Sequence, residues 1–369
     1  MRPAMDPSSF RAEFPVLERV AYLNAGTDGP VPSVGAEAAR TRLADELERG
    51  RSGKAHFDAL IGMGDRRRAM LASLLGCDEP ELALTHSTTD GVNIVLGGLD
   101  LRPGDEIVTS DEEHPGLLAP LAAARERHGI TITQAPFAEL PSAVSGRTRL
   151  VATSHVSWVN GQVIDAQALR ETGVPVLLDG AQGLGAVPTD VRELGCAYYA
   201  ASGQKWLCGP DGTGCLYVHP DHLQEVEPRR LGFGSLAEPS DPLGSPLRSD
   251  ARRLDLGFVA ASTAAWSLAA LELFERAGWG WMHERAATLA ARLAEMLAER
   301  GHDVQPRGRS TLVSWSDTDC EETSARMGEH GVVVRFIPGR GLVRASVGAW
   351  NDERDLERLV ALATSTSSR

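Results

Sequence analysis

Along the first part of the chain, short apolar runs alternate with longer stretches of helical periodicity. The runs Glu81–Thr85, Glu106–Ser110, Ile130–Gln134, Leu150–His155, Val174–Asp179, Tyr198–Ala201 and Gly214–His219 predict strands. Many are apolar without interruption, the pattern of strands buried on both faces. Helical spacing fills several gaps between them, as in Gly91–Leu99 and Pro115–His128. This alternation predicts an α/β domain with a mostly parallel, seven-stranded sheet.

After about Pro220 the pattern changes. Pro228–Pro246 is rich in Gly, Pro and Ser and predicts a long loop. Ala260–Gly278 and Trp281–Gly301 place apolar residues at i, i+3, i+4 and predict helices. Strands are expected at Ser310–Ser316, Val332–Phe336 and Leu342–Ser346, then a helix from Asp352 to about Thr364. The expected organisation is a large α/β domain over 21–250. A smaller α+β domain follows over 251–369, with residues 1–20 packed back on it. Ser365–Arg369 are expected to fray.

Composition narrows the function classes. With 369 residues, 42% hydrophobic and 24% charged, the chain can bury a large core. Its formal charge of −13 argues against nucleic acid and anionic membrane as partners. No apolar run reaches the roughly 18 residues of a membrane span. Met1–Glu18 shows no secretion signal, so a cytoplasmic location is expected. The cysteines Cys77, Cys196, Cys208, Cys215 and Cys320 are odd in number and form no CxxC pair. A disulfide framework or a metal site is therefore not expected.

The chemistry concentrates where strands end. Val176-Leu-Leu-Asp-Gly-Ala-Gln182 is a buried strand closing on an acid, Asp179. Ala200-Ala-Ser-Gly-Gln-Lys-Trp206 leads from a second strand into Ser202, Gln204 and Lys205. Sites in α/β sheets form at such carboxyl ends. An acid there can keep a pyridine nitrogen protonated, and a lysine among apolar neighbours can form an imine with an aldehyde. Thr85-His-Ser-Thr-Thr-Asp-Gly-Val-Asn93 opens a helix after a strand. Its Ser87, Thr88 and Thr89 offer hydroxyls and amides to an anion, although N-capping alone explains such residues. His114, in Ser110-Asp-Glu-Glu-His-Pro115, stands at another strand end, where an imidazole could stack on a flat ring and move protons.

Together these segments resemble the fold-type I pyridoxal-phosphate (PLP) enzymes of the class V aminotransferase and cysteine desulfurase superfamily. The likeness runs from Tyr22 to about Leu359. The cues Tyr22-Leu-Asn-Ala-Gly-Thr-Asp-Gly-Pro-Val-Pro32, Glu113-His-Pro-Gly116 and Trp158-Val-Asn-Gly-Gln162 point to the cysteine/cystine C–S lyase and isopenicillin-N-epimerase-like branch. The resemblance implies PLP as cofactor, with Lys205 as the Schiff-base lysine and Asp179 as the pyridinium partner. It implies Gln182 as donor to the ring's phenolic oxygen, His114 as the stacking residue, and Thr88, Ser202 and Gln204 as phosphate ligands. Arg344 matches the arginine that grips a substrate α-carboxylate, a role suited to a bidentate fork. Asn24, Gly26, Thr27, Trp158 and Asn160 fall at the substrate side. Gly257–Thr263, with Ser262 and Thr263, matches a segment that reaches the neighbouring subunit's phosphate in a homodimer, or it is an N-cap.

One departure shapes the expected activity. Cysteine desulfurases hold a nucleophilic cysteine in the loop before the Arg344-like residue. Here Arg335-Phe-Ile-Pro-Gly-Arg-Gly-Leu-Val343 is short and has none. Cys320 is expected in an exposed loop, Cys208 and Cys215 as packing residues, and Trp206 as a wall beside Lys205. Arg340 is a substrate-side cation or a solvated turn residue. Without a thiolate to take sulfur, the expectation is a β-lyase acting on L-cysteine, cystine or an S-conjugated cysteine. Its products would be a thiol or persulfide, pyruvate and ammonia. Transamination, decarboxylation, epimerisation, desulfuration and a non-catalytic role are the alternatives.

Overall fold

The computed structural model describes residues 5–255 and 257–363. The chain opens with helix α1 (Pro7–Ala12), strand β1 (Ala21–Tyr22) and helices α2 (Ser33–Arg49) and α3 (Gly53–Leu75). Strands β2 (Leu82–Thr85), β3 (Glu106–Ser110) and β4 (Thr131–Ala135) follow, with α4 (Thr88–Gly98) and α5 (Pro115–His128) between them. Next come α6 (Leu140–Ala143), β5 (Thr148–Ser154), α7 (Ala166–Glu171), β6 (Val176–Asp179), α8 (Val191–Leu194), β7 (Tyr198–Ser202) and β8 (Gly214–Val218). The remainder holds α9 (Ala261–Ala277), α10 (Trp279–Glu299), β9 (Leu312–Ser316), α11 (Cys320–Glu329), β10 (Val332–Val333), β11 (Arg335–Ile337), β12 (Leu342–Ser346) and α12 (Glu353–Ala363).

Seven strands form the central sheet in the order β2-β8-β7-β6-β5-β3-β4. Only β8 runs against its neighbours; the other pairings are parallel. Successive side chains of the inner strands enter opposite cores, which explains their apolar runs, while the edge strand β4 leaves Thr131 and Gln134 exposed. Ile107, Leu177, Ala200 and Leu216 pack with Val95 of α4 and Leu121 of α5. Val108, Leu178, Tyr199 and Tyr217 pack on the other face with Leu71 and Leu75 of α3. All the expected strands of this sheet form, with ends shifted by one or two residues in most. A three-stranded antiparallel sheet, β11-β12-β9, packs on α10 and α12. Phe10, Phe14 and Leu17 join Phe274, Met282 and Trp350, so the N-terminal segment returns to the C-terminal part of the chain. The same cluster takes in Val156 and Trp206 beside the sheet.

Three features differ from the sequence expectations. The helices α2 and α3 carry no clear apolar stripe; Leu43 and Leu47 of α2 are exposed. Helix α2 is held by close packing on α9, where Gly35 meets the Trp266 indole with no room for a Cβ, and α3 packs Leu71 and Leu75 against the sheet. The single strand expected over Val332–Phe336 divides at Val334. Its first half pairs with β1 and its second with β12, in a different sheet. Cys320 does not sit in an open loop but begins α11, half-buried. The last expected helix ends by Ala363 within the described residues; Thr364 and the fraying expected for Ser365–Arg369 lie outside them. Among the described residues no helix is long and apolar enough to cross a membrane.

Candidate active site

The carboxyl ends of β2, β5, β6 and β7 and the start of α5 converge on one cavity of about 240 Å³. Its wall includes Gly26, Thr27, Ser87, Thr88, Thr89, His114, Trp158, Asp179, Gln182, Ser202, Gln204 and Lys205, all expected from the sequence. Such convergence follows from the parallel strands, whose loops open on the same edge of the sheet.

Part of the cavity wall is lined by hydroxyls at the N-terminus of α4. Ser87 caps α4 by accepting from Asp90 N–H, which leaves Thr88 at the first helical position. The Thr88 and Ser202 hydroxyls lie 2.7 Å apart, so two side chains on separate elements share one spot. The Gln204 side-chain oxygen is buried there with no partner among the described residues. Hydroxyls and backbone N–H groups at a helix N-terminus suit a phosphate.

The reactive groups occupy the middle. Lys205 is desolvated, and its pKa falls to about 8; the Asp179 charge works against that fall, while Arg344 and Arg335 add to it. Asp179 is buried at the end of β6 and accepts from Ala181 N–H at 2.9 Å. Burial pushes its pKa up, and the Lys205 charge and that N–H pull it back. Such an acid gains from a cation placed against it. His114 accepts from Gly116 N–H through Nδ1 at 3.0 Å, which leaves its proton on Nε2. Burial, followed by the charge of Lys205, holds His114 down to about 4, so it is neutral at physiological pH. Its ring meets the Trp158 edge at 5.0 Å and 87°.

The far side is cationic. Arg344 is fully buried in β12 and gives Nη1 to the Trp158 carbonyl at 2.6 Å. Its Nε and Nη2, and the neighbouring Ser346 hydroxyl, have no partner among the described residues. Burial and the Arg335 charge press the Arg344 pKa to about 9, and it remains a cation at neutral pH. Arg335 stands opposite Arg344 across the β11–β12 hairpin, 5.7 Å over the Trp158 ring, and donates to the Thr27 hydroxyl. Like charges directly opposite destabilise a hairpin unless an anion lies between them. Arg335 and Ser346 were not among the expected site residues. Ser346 shares the period-two face of Arg344, a signal the sequence carried; Arg335 needs the hairpin register.

Several expected residues, the buried Arg344 among them, do not line the cavity. Asn24 accepts from the Thr27 hydroxyl and closes the turn behind Gly26. Asn160 donates to Glu112 and accepts from Gln162 N–H, holding the Trp158 loop. Ser262 and Thr263 lie in the first turn of α9 and do not line the cavity. Arg340 donates to the Asp111 carbonyl, an exposed turn contact. No cysteine lies on the cavity wall. Burial pushes Cys77, Cys196 and Cys215 up to about 12, and Cys208 well above the usual thiol range.

The class-V aminotransferase family profile matches residues 49–359. A probable cysteine desulfurase of Pseudomonas aeruginosa is 31% identical, over 95% of this chain and 96% of that protein. Isopenicillin N epimerase of Streptomyces clavuligerus is 29% identical, over 93% and 87% respectively. The cystine C–S lyase C-DES, solved with its product cysteine persulfide, superposes with a TM-score of 0.90 at 29% identity, over 95% of this chain and 99% of that one. A mutant of C-DES, with glycine covalently linked to its PLP cofactor, superposes at 0.91. The residues here fit PLP: an amine for its aldehyde, an acid for its ring nitrogen, and the Thr88 and Ser202 hydroxyls at a helix N-terminus for its phosphate. The chain belongs to the class-V aminotransferase family and is a fold-type I, PLP-dependent enzyme.

Proposed function

We propose that this enzyme is a C–S β-lyase acting on L-cysteine, cystine or an S-conjugated cysteine, as a cytoplasmic homodimer. The observation that carries the reading is a cavity holding Lys205, Asp179 and Arg335 with no thiol on its wall, and with Nε and Nη2 of Arg344, unpartnered among the described residues, buried behind the lining residue Gly26. A desulfurase needs a thiolate to receive sulfur, whereas an elimination needs only a base, an electron sink and a leaving group. The four cysteines held as thiols by burial deepen that contrast. The cystine lyase likeness supports the same class.

Bound PLP supplies the electron sink for charge developing at the substrate α-carbon. Lys205 would hold it covalently, Asp179 would face its ring nitrogen, and Thr88, Ser202 and Gln204 its phosphate. Arg344 would take the substrate carboxylate through Nε and Nη2, the two donors left without partners. Lys205 Nζ would remove the α-proton. The Cβ–S bond then breaks, sulfur leaves with the electron pair, and hydrolysis of the three-carbon remainder gives pyruvate and ammonia. Arg335 would face the distal end of the substrate, which favours substrates with a second acid group, such as cystine.

The test is a substrate panel with purified protein: L-cysteine, L-cystine and S-alkyl cysteines, assayed for pyruvate. Pyruvate matched by released thiol or persulfide supports the lyase. Exchange of the α-proton with retained amino acid and no pyruvate would overturn it in favour of epimerisation.

A further inference from the structure

We propose that Trp206 is a positioning residue: its indole N–H fixes the Gln182 amide so that an N–H, not the carbonyl, faces the cofactor. The inference rests on PLP occupying the Lys205 cavity. Trp206 is 2% exposed and wedged among Val156, Ala186 and Phe274. Its Nε1 donates to Gln182 Oε1 at 3.0 Å. Gln182 Nε2 donates onward to the Gly26 carbonyl at 2.8 Å. An indole nitrogen can only donate, so the atom it meets must be the amide oxygen. The second partner is a carbonyl, which can only accept, so it demands the amide nitrogen. The two partners together specify both ends of Gln182. The second proton on Nε2 is then left for the cavity that Gln182 lines.

This bond is not a default of buried indoles here. The Trp158, Trp315 and Trp350 nitrogens are buried without partners among the described residues. Trp206 also follows Lys205 directly in the chain, so one turn carries both the amine and the device that sets its neighbour's polarity. Without the indole N–H, a rotated amide would aim an oxygen at an anionic acceptor such as the phenolic oxygen of PLP. The charged form of that oxygen would lose its donor.

The test is a pH titration of the visible absorption band of PLP-loaded protein, read without substrate. Trp206→Phe removes the N–H and keeps a ring. The midpoint of the band change should move up by about one to two units, the effect of one lost hydrogen bond to a charged oxygen. Gln182→Leu should give a similar shift. The double variant should shift no further than Gln182→Leu alone, because Trp206 acts through Gln182. Additive shifts, or an unmoved midpoint in Trp206→Phe, overturn the inference. If Trp206→Phe does not fold, a benzothiophene analogue of tryptophan installed at position 206 alone keeps the shape and removes only the donor. Wild-type protein that gains no PLP band sinks the parent reading instead; a normal wild-type band with unresponsive variants sinks this one alone.

Discussion

Gly26→Ala presses chiefly on the proposed carboxylate subsite and less on the cofactor side. A Cβ at position 26 would lie 2.7 Å from Ser346 Oγ, 2.8 Å from Arg344 Nη2 and 3.0 Å from Gln182 Oε1. All three distances fall inside the 3.4 Å at which ordinary contact begins. The neighbours have little freedom to retreat. Arg344 is tied to the Trp158 carbonyl, and the Ser346 backbone donates to Leu23 O at 2.7 Å. Overpacking of this kind costs about 1–3 kcal/mol. Two of the three contacts fall on the unpartnered groups that would receive a carboxylate, so most of that cost should appear as weakened substrate binding. At about 1.4 kcal/mol per factor of ten, KM should rise about 5- to 150-fold. Steady-state pyruvate formation gives KM and kcat, and the visible absorbance of the same samples gives PLP content. An unchanged KM, or loss of PLP at unchanged KM, would refute the placement of the carboxylate beside Gly26.

Other outcomes follow from the same geometry. The amine of Lys205 is protonated below about pH 8 and neutral above it, so covalent uptake of PLP by cofactor-free protein should rise with a midpoint near 8; borohydride trapping across pH checks this, and a midpoint near the ordinary lysine value of 10.5 contradicts it. Arg344→Gln removes the charged fork and should lower kcat/KM by about two to three orders of magnitude with PLP uptake retained; equal loss of cofactor would assign Arg344 to the wrong subsite. Cys320→Ala should leave pyruvate formation unchanged, since Cys320 opens α11 and does not line the cavity; a collapse in sulfur release would restore a persulfide route. Phe10→Ala removes a fully buried ring that meets Phe14, Trp281 and Phe274 within 6.0 Å, and should cost about 3–5 kcal/mol in denaturant unfolding; a change below about 1 kcal/mol would mean the N-terminal segment is not part of the core.

What the sequence by itself determined was local. Apolar runs marked most of the seven sheet strands because two-sided burial leaves few polar positions to interrupt them; the edge strand β4, with Thr131 and Gln134 exposed, is the exception. Asp179, Lys205, Thr88 and His114 were legible because the α/β pattern delivers strand ends to one edge, and each stands just past such an end. Helix α2 was not legible, since what holds it is the fit of Gly35 and its neighbours against α9, a surface defined far along the chain. Nor was the division at Val334, where β1 and β12 compete for adjacent backbone and each takes half.

Tertiary structure alone decided which polar residues share the cavity. Asn24 and Asn160 have the right chemistry for a substrate site, yet their hydrogen bonds are consumed by Thr27, Glu112 and Gln162. Arg335 looked like one end of a short loop until the hairpin register set it across from Arg344. Hydrogen-bond partners and like-charge pairs depend on distances across the fold, which spacing along the chain does not encode. Strand burial and helix capping depend on near neighbours, which it does.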